Sequence, residues 1–392
     1  MPDLERHELA PLESRPASPP ESEVGLRRVQ PPATRIRVAM AQACEALGRH
    51  GVPGISLALT TRENGRLAVQ YGEACLSPPR RVEPGTVFHL FSGTKLYTAA
   101  ALMLLVEQRL VSLDDVVTKH LPELGLSYPV TLRELASHNS GLHDTLSAFL
   151  AVHLAGDRCP STGETLGRYR LSSAARPGRR AAYRNVNYAI LGEVISRVSR
   201  TPYRQFMMDA LIRPMQADLT FESGTCAPEL LATGYQPRMS LMWMVLPFVL
   251  PNAKELFALP VGRLLPLKPF DLDTSAIGGL MGSAQAFLPF LEEMLSGTDG
   301  ILSAKSKREI LTLQSRGAVG ITSRVGAGIG WKLGRVGATE FWNHEGGGPG
   351  FCTETRLYPR EGLGLVILMN RTQSSRLSYA AHDACEHIRR ST

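Results

Sequence analysis

Hydrophobic residues follow two different spacings in the first part of this 392-residue chain, and each spacing predicts a different element. Between residues 35 and 50 they recur at helical spacing, which predicts an amphipathic first helix. The next two apolar runs, residues 54–60 and 66–71, are strand-like and are separated by an Asn64-Gly65 step. This dipeptide is typical of a tight hairpin turn, so we expect two antiparallel strands early in the chain.

The pattern changes twice more along the chain. Residues 96–110 are apolar on every side, which predicts a helix buried all round, and helix-like segments interrupted by Pro and Gly follow to about residue 300. Strand patterns then return before a last helix at 377–389, and they cover residues 328–333, 341–344, 352–358 and 364–370. Strands at both ends predict an α+β fold: one antiparallel sheet built from both chain ends and flanked by helices, with a mostly helical part inserted.

These patterns divide the chain into three predicted parts. Residues 1–33 carry acidic residues among prolines and have little apolar surface, so we expect a disordered leader. Residues 34–98 and 300–392 are expected to form a sheet-containing subdomain. Residues 99–299 are expected to form a mostly helical subdomain that is one wall of an active-site cleft. The composition, 43% hydrophobic and 20% charged, is that of an ordinary globular protein.

The cysteines and the leader indicate a reducing compartment. Six cysteines show no Cys-x-x-Cys pair and no metal-ligand spacing with histidine, which favours free thiols. The leader has no apolar stretch of signal-peptide length. We therefore expect a cytoplasmic protein with no metal and no cofactor, and the sequence does not indicate its oligomeric state.

Charge and hydropathy also limit the partners. The net charge of +7 is scattered and not concentrated in a block, so a nucleic-acid partner is not indicated. The most apolar run, residues 241–250, is shorter than the roughly 20 residues of a membrane-spanning helix. Two interpretations of this run are equally supported. It either lines a substrate cleft with Trp243, Met244 and Phe248, or it is a core helix interrupted by Pro247. Peripheral contact with a membrane is a weaker third.

The first candidate for chemistry is Ser92, which stands three residues before Lys95 in the only Ser-x-x-Lys of the chain. The pair lies where a strand-like run becomes the helix predicted at 96–110, and positions i and i+3 share one face of a helix. A serine hydroxyl is a poor nucleophile unless a base lies next to it, and a desolvated lysine can be that base. The alternative is a helix-capping serine followed by a solvated lysine.

The second candidate is Tyr183, in the only Tyr-x-Asn of the chain, just before a helix-like run. A tyrosine hydroxyl can move a proton between a nucleophile and a leaving group. The alternative is a buried aromatic residue followed by Asn185 as a helix cap.

The third candidate is a glycine-rich segment that begins at His344, at the end of one predicted strand and before the next. Glycines such as Gly346 and Gly347 let a ligand approach the backbone and leave an amide free to bind an oxyanion. The alternative is a hairpin without chemistry.

Together the three segments resemble, in order and spacing, the serine beta-lactamase-like superfamily, which includes penicillin-binding proteins, class C beta-lactamases and esterase relatives. The resemblance covers most of the chain after about residue 36. It implies acyl transfer in which Ser92 attacks a carbonyl carbon while Lys95 and Tyr183 carry out the proton transfers. It does not decide which of the two is the first general base. It also implies that the amides of Ser92 and Gly347 hold the oxyanion, and that Asn185 positions Lys95 or binds the acyl part of a substrate.

The sequence departs from that family at its third segment. Peptidases and lactamases of the family usually carry Lys-Thr-Gly where this chain has His344, Glu345 and Gly346. A neutral histidine and an added negative charge favour uncharged esters over substrates with a free carboxylate. Arg184, where serine is common, is expected to pair with an acid such as Glu345.

We therefore expect a serine hydrolase, specifically a carboxylesterase for short or medium acyl esters, whose partner is a small ester or acyl substrate. The alternatives are an acyltransferase and a weak beta-lactamase or D-Ala-D-Ala carboxypeptidase-like peptidase. A non-catalytic binding protein on the same fold is a further alternative, against which the retention of Ser92, Lys95 and Tyr183 argues. The chain contains no Gly-x-Ser-x-Gly and no His-Glu-x-x-His motif, and His138 and His143 are interpreted as turn and capping residues.

Overall fold

The computed structural model describes residues 32–144, 152–169, 171, 176–178, 180–238 and 253–392. The predicted leader up to residue 31 and the apolar run 241–250 lie outside these residues. The first helix begins at Pro32, so it starts slightly earlier than the pattern predicts.

The helices of the described residues are α1 (Pro32–Arg49), α2 (Thr94–Glu107), α3 (Leu132–Ala136), α4 (Thr162–Leu166), α5 (Val186–Ser199), α6 (Tyr203–Met207), α7 (Ala253–Leu256), α8 (Ser275–Gly278), α9 (Ala284–Leu295), α10 (Ala304–Ile310) and α11 (Ser375–Arg389). Helix α6 continues as a π-helical turn, Met208–Ile212. Short 3-10 turns cover Phe91–Gly93, Val117–Lys119, Pro122–Leu124 and Ser223–Thr225.

The strands of the described residues are β1 (Gly54–Thr61), β2 (Gly65–Leu76), β3 (Pro79–Arg81), β4 (Phe88–His89), β5 (Val152–Leu154), β6 (Leu219–Thr220), β7 (Tyr235–Pro237), β8 (Leu264–Pro266), β9 (Phe270–Leu272), β10 (Met281–Gly282), β11 (Ser315–Arg316), β12 (Gly326–Ala327), β13 (Lys332–Val336), β14 (Thr339–Gly348), β15 (Phe351–Tyr358) and β16 (Leu363–Met369). Nine of them form one antiparallel sheet in the order β11-β12-β13-β14-β15-β16-β1-β2-β3.

The sheet joins the two ends of the chain, as the strand patterns predict. Strand β16 pairs with β1 over its full length, from Ile55 opposite Met369 to Thr61 opposite Leu363. The predicted hairpin of β1 and β2 is also present, and Gly65 at its turn has a φ of +63°, a conformation that glycine adopts without strain. The predicted α+β fold with an antiparallel sheet from both ends is confirmed.

Helices cover the sheet with two separate apolar cores. Helices α1 and α11 pack together over one face and enclose residues such as Leu57 and Ile367. Helix α9 packs against β1 and β16 although it falls inside the range assigned to the helical subdomain, so the subdomain boundaries at 98 and 299 stay a prediction. Among the described residues, no helix combines the length and apolar character needed to cross a membrane.

Helix α2 runs through the larger core, and its residues from Thr94 to Leu105 are all buried. This confirms the helix that the all-round apolar pattern predicts. A buried central helix gives the Ser92–Lys95 segment, at its beginning, a rigid support on every side.

The strand predicted at 328–333 is only partly correct. Residues 328–331 form a loop against α2, where Gly330 has a φ of +81° and an added Cβ would lie 2.5 Å from the Cβ of Ala99. The strand begins at Lys332, which lies opposite Asn343 of β14. The helix packing overrides the local strand pattern there, and the result brings Lys332 into the site described next.

Candidate active site

Ser92 lies on a tight turn that connects β4 to α2. The turn is the 3-10 segment Phe91–Gly93, and Phe91 has a φ of +44°, which is uncommon for a residue with a side chain. Phe91 and Gly93 are buried while Ser92 is half-buried. The turn therefore presents the Ser92 hydroxyl at the N-terminal end of a buried helix, where the helix dipole favours negative charge.

The three residues predicted to act together meet at one oxygen atom. The Nζ of Lys95 lies 2.9 Å from the Oγ of Ser92, and the hydroxyl of Tyr183 lies 2.8 Å from the same Oγ. Lys95 also donates a 2.9 Å hydrogen bond to the carbonyl oxygen of Ile277 in α8. Side chains that are 91 positions apart in the chain are thus within hydrogen-bond reach of one another.

The environment of Lys95 disfavours its charged form. Its side chain is fully buried, and among the described residues its Nζ bonds only Ser92 and the Ile277 carbonyl. Burial lowers the pKa of Lys95 well below its ordinary value, and the charge of Lys332 lowers it further, while the Asp144 carboxylate partly opposes both. A lysine in this setting can be a neutral amine that accepts a proton.

The environment of Tyr183 favours retention of its proton, whereas that of Lys95 favours loss of the proton. The loss of water around its hydroxyl raises its pKa, although the hydrogen bond to Ser92 lowers it in part. Two lysines lie near its ring, with the Nζ of Lys332 4.5 Å and the Nζ of Lys95 5.2 Å from the ring centroid. Tyr183 is therefore held as a protonated phenol that donates to Ser92.

Glu345 pairs with Lys332, which corrects the expected pairing with Arg184. The Nζ of Lys332 lies 2.6 Å from the Glu345 carboxylate, and both side chains are buried. Burial alone would raise the pKa of Glu345, but the Lys332 ammonium outweighs it and the pKa falls to about 2. Arg184 instead donates to the carbonyl oxygens of Leu142 and of its neighbour Tyr183.

His344 lies fully buried beside this pair, with its ring centroid 5.9 Å from that of Tyr183. Its Nδ1 lies 2.8 Å from the Glu345 carbonyl oxygen, and its Nε2 has no hydrogen-bond partner among the described residues. Burial lowers the pKa of His344 well below its ordinary value, and the charges of Lys332 and Lys95 lower it further. The imidazole is therefore neutral at physiological pH.

The glycines of β14 allow this strand to contact the serine turn. A Cβ on Gly346 would lie 2.3 Å from the Leu90 carbonyl oxygen and 3.2 Å from the Ser92 nitrogen, so only a glycine fits there. A Cβ on Gly347 would overlap the side chain of Gln373 at 2.0 Å. The predicted oxyanion residues Ser92 and Gly347 thus lie on neighbouring segments, and Gln373 covers the second of them.

Asn185 lies at the start of α5, after Tyr183. Its backbone N–H and that of Val186 donate to the two carboxylate oxygens of Asp144, at 3.0 and 2.7 Å. Its side-chain Oδ1 is buried without a hydrogen-bond partner among the described residues. Since the described bonds of Lys95 go elsewhere, the structure does not bring Asn185 onto Lys95, and its amide stays available to a ligand.

Several residues of the site were not predicted from the sequence. Lys332 stands between Trp331 and Leu333, and this alternation is typical of a solvated lysine on a strand. His138, expected as a turn residue, does lie in a turn with a φ of +58°, but its ring also packs 4.6 Å from that of Tyr183. Asp144 and Gln373 belong to no motif, and only the fold places them near Tyr183 and Gly347.

Comparisons with known proteins agree with this arrangement. The family model described as Beta-lactamase matches residues 35–386. Protein flp of Staphylococcus aureus (strain MW2) is 26% identical over 193 residues, which are 47% of this chain and 38% of that protein, so the match spans well under half of that relative's length. Penicillin-binding protein 4* of Bacillus subtilis (strain 168) is 26% identical over 331 residues, 81% of this chain and 68% of that protein.

Solved structures share the fold at low identity. The D-amino acid amidase from Ochrobactrum anthropi SV3 in complex with D-phenylalanine has a TM-score of 0.77 at 21% identity, covering 91% of this chain and 100% of that one. The octameric penicillin-binding protein homologue from Pyrococcus abyssi has a TM-score of 0.72 at 23% identity, covering 89% of this chain and 76% of that one. With a family model that spans nearly the whole described fold, the chain belongs to the Beta-lactamase family.

Proposed function

We propose that this protein is a serine hydrolase that works through an acyl-serine intermediate, with Ser92 as the nucleophile. The observation that carries the proposal is the contact of Ser92 Oγ with both Lys95 Nζ and Tyr183 Oη, at 2.9 and 2.8 Å. A nucleophile, a base and a second proton carrier within reach of one atom are the parts that acyl transfer requires.

The pKa directions support Lys95 as the first base. Burial favours the neutral amine of Lys95 and the protonated phenol of Tyr183. As Ser92 Oγ bonds to the substrate carbonyl carbon, its proton passes to the Lys95 amine. When the carbonyl re-forms, the alkoxide leaves and takes the proton of Tyr183, which Lys95 then replaces. Water attacks the acyl-serine by the same steps in reverse order.

The developing oxyanion is assigned to the backbone amides of Ser92 and Gly347. The support is the close contact of β14 with the serine turn at Gly346, and the location of Ser92 at the start of α2. Amides held in place by a strand and a helix need no reorganisation when the charge develops.

We propose further that the substrate is a carboxylic ester with a short or medium acyl group. His344 is neutral, and the cation beside it, Lys332, is already paired with Glu345. The sequence alone predicts that Glu345 repels a carboxylate, but in the ion pair both charges are compensated, which leaves the site suited to an uncharged substrate. The Asn185 side chain is assigned to the acyl part of the substrate, to whose carbonyl oxygen its amide N–H can donate.

A substrate panel tests the proposal. It contains nitrophenyl butyrate and octanoate, a chromogenic cephalosporin, a D-Ala-D-Ala peptide and D-phenylalanine amide, since one protein of this fold is a D-amino acid amidase. We expect ester hydrolysis, with mass spectrometry showing the acyl group on Ser92 and no label in Ser92→Ala. Absence of acylation of Ser92 by every substrate would contradict the enzyme proposal.

Specificity is tested at His344. Replacing His344 with Lys is expected to raise turnover of the cephalosporin relative to the ester, because it adds a cation where the family usually has one. His344→Asn is the matched neutral control and should leave the ratio of the two rates unchanged. An unchanged ratio in His344→Lys would show that this residue does not discriminate between substrates.

The proposed compartment is the cytoplasm. It rests on the six cysteines, whose spacing is that of independent thiols. Fractionation of cells that produce the full chain tests this assignment, and recovery from the exported fraction would contradict it.

A further inference from the structure

A pocket is lined in part by β4, the strand that leads into the serine turn. It has a volume of about 380 Å³ and is walled mainly by apolar and aromatic side chains, among them Phe88, Leu231, Leu267, Phe270 and Phe351. Ser92, Lys95, Tyr183 and His344 are not among its lining residues. Small-molecule sites in proteins are mostly apolar cavities of roughly 300–1,000 Å³ with a few placed polar groups, and this pocket falls within that range.

Two residues of the pocket lining each carry a buried polar atom that has no hydrogen-bond partner among the described residues. These atoms are the Nδ1 of His89 and the Oγ of Ser223, and the two residues are 5% and 2% exposed. An unsatisfied buried polar group is unfavourable, so native proteins rarely leave one without a partner. Two residues with such groups in the lining of one apolar pocket point to a polar group of a ligand as the missing partner.

Both groups are held in place by their neighbours. The His89 ring stacks on Phe270 with centroids 4.2 Å apart and an interplanar angle of 8°, and the Phe270 backbone bonds the ring. The backbone N–H of Ser223 donates a 2.7 Å hydrogen bond to Asp271, the residue after Phe270. Burial lowers the pKa of His89 to about 3, so the ring is neutral. The Nδ1 of His89 is then a fixed acceptor, and the Ser223 hydroxyl can donate.

We propose that this pocket binds an uncharged, mostly apolar molecule that carries one hydroxyl group, such as an alkanol or an alkylphenol. The ligand O–H donates to His89 Nδ1, the Ser223 hydroxyl donates to the ligand oxygen, and the apolar part fills the aromatic wall. A carboxylate is a poorer match, because it has no proton to donate to the neutral His89 ring. Arg80 and Lys268 also line the pocket, and Arg80 donates to the Leu231 carbonyl oxygen.

The pocket is independent of the proposed catalytic function. The ring of Phe91, the residue before Ser92, lies next to the His89 ring, with 5.5 Å between their centroids. No bond to the ligand involves the catalytic residues. Ligand binding is therefore expected in Ser92→Ala as in the unaltered protein, so failure of the hydrolase proposal and failure of the pocket proposal are distinguishable.

Cys75 provides a direct readout because it lines the pocket and is half-buried. We expect 1-hexanol or 4-propylphenol to slow alkylation of Cys75 by N-ethylmaleimide, measured by peptide mass spectrometry on the full chain. Cys159 and Cys226 are also half-buried but do not line the pocket, so their alkylation should not change. Equal protection of all three cysteines, or of none, would overturn the proposal.

Calorimetric titration of the same protein tests the ligand class. Saturable binding of 1-hexanol is expected, at least tenfold tighter than that of hexanoate or hexylamine. The double variant His89→Phe, Ser223→Ala keeps the aromatic stacking and should weaken 1-hexanol binding about tenfold, a loss of about 1.4 kcal/mol. Ala232→Leu, which enlarges a side chain of the lining, should abolish 1-hexanol binding. Hexanoate binding as tightly as hexanol, or an unchanged Kd in the double variant with native thermal unfolding, would overturn the proposal.

Discussion

Two buried lysines of the candidate site differ in what surrounds them. Lys95 is fully buried, and its described partners are a hydroxyl and a carbonyl oxygen. Lys332 is 5% exposed and lies 2.6 Å from the Glu345 carboxylate. Burial favours loss of the proton from Lys95, whereas Lys332 has an ion-pair partner of opposite charge.

The comparison shows that neighbours decide the role of a buried lysine, not burial itself. A lysine without a carboxylate partner can act as a base next to a nucleophile. A lysine with a carboxylate acts instead through its field, and the charge of Lys332 lowers the pKa of Lys95. The two lysines are therefore coupled, and four variants separate their contributions.

The largest effect is expected from Lys95→Met, which removes the proposed base. Ester kcat/KM should fall by roughly 10³-fold, since general acid–base catalysis contributes roughly 10²–10⁴-fold. Nitrophenyl butyrate hydrolysis measures it, with circular dichroism as the control for folding. If more than a tenth of the activity survives, Lys95 is not the base and the contrast between the two lysines fails.

Glu345→Gln is expected to have the next largest effect, because it leaves Lys332 as a buried cation without its partner. Removing one member of a buried pair costs about 3 kcal/mol or more, which urea unfolding at pH 7 would show. The double variant Lys332→Met, Glu345→Gln removes both charges and should recover part of the loss.

The pH dependence of this loss has a defined sign. The pKa of Glu345 falls from 4.5 to about 2 in the folded protein, so its contribution is complete above pH 4.5 and disappears as the pH falls towards 2. The stability difference between Glu345→Gln and the unaltered protein should shrink over that interval. A difference that is constant with pH would contradict the ion-pair explanation.

Lys332→Met tests the coupling itself. Because the charge of Lys332 lowers the pKa of Lys95, its removal should raise that pKa. The acidic limb of the kcat/KM profile should then move to higher pH, since Lys95 must be neutral to accept the proton. A limb that stays in place would show that the two lysines are not coupled.

Asp144→Asn is expected to have the smallest effect, with the opposite sign. The Asp144 carboxylate raises the pKa of Lys95, so its loss should move the acidic limb to lower pH. The variant also weakens the bonds to the N–H groups of Asn185 and Val186 at the start of α5, at a cost of about 1 kcal/mol. Movement of the limb to higher pH would contradict the assignment.

The fold could be predicted in outline because its signals are local. The Asn64-Gly65 turn, the apolar helix α2 and most of the strand patterns at both ends depend on neighbouring residues, and the structure contains them. The prediction was wrong at residues 328–331, where packing of Gly330 against α2 replaces the strand. A local pattern carries no information about such a distant contact.

The candidate site likewise contains residues that the sequence predicts and contacts that only the folded structure selects. Order and spacing in the sequence led to Ser92, Lys95 and Tyr183, and the structure brings these three together at one oxygen. The expected partner of Glu345 was wrong, because Arg184 and Lys332 are equally plausible by charge. Only the positions of β13 and β14 select Lys332.

Residue spacing and hydrophobic period are properties of the chain, and they were enough to predict the family, the α+β architecture and the three residues proposed for catalysis. Only the folded structure sets the pKa values of those residues. Among the described residues, it buried Lys95 with no carboxylate bonded to its amine and placed Lys332 beside Glu345. The reason is physical: a pKa depends on burial and on charges that are close in space, and both are properties of the folded molecule.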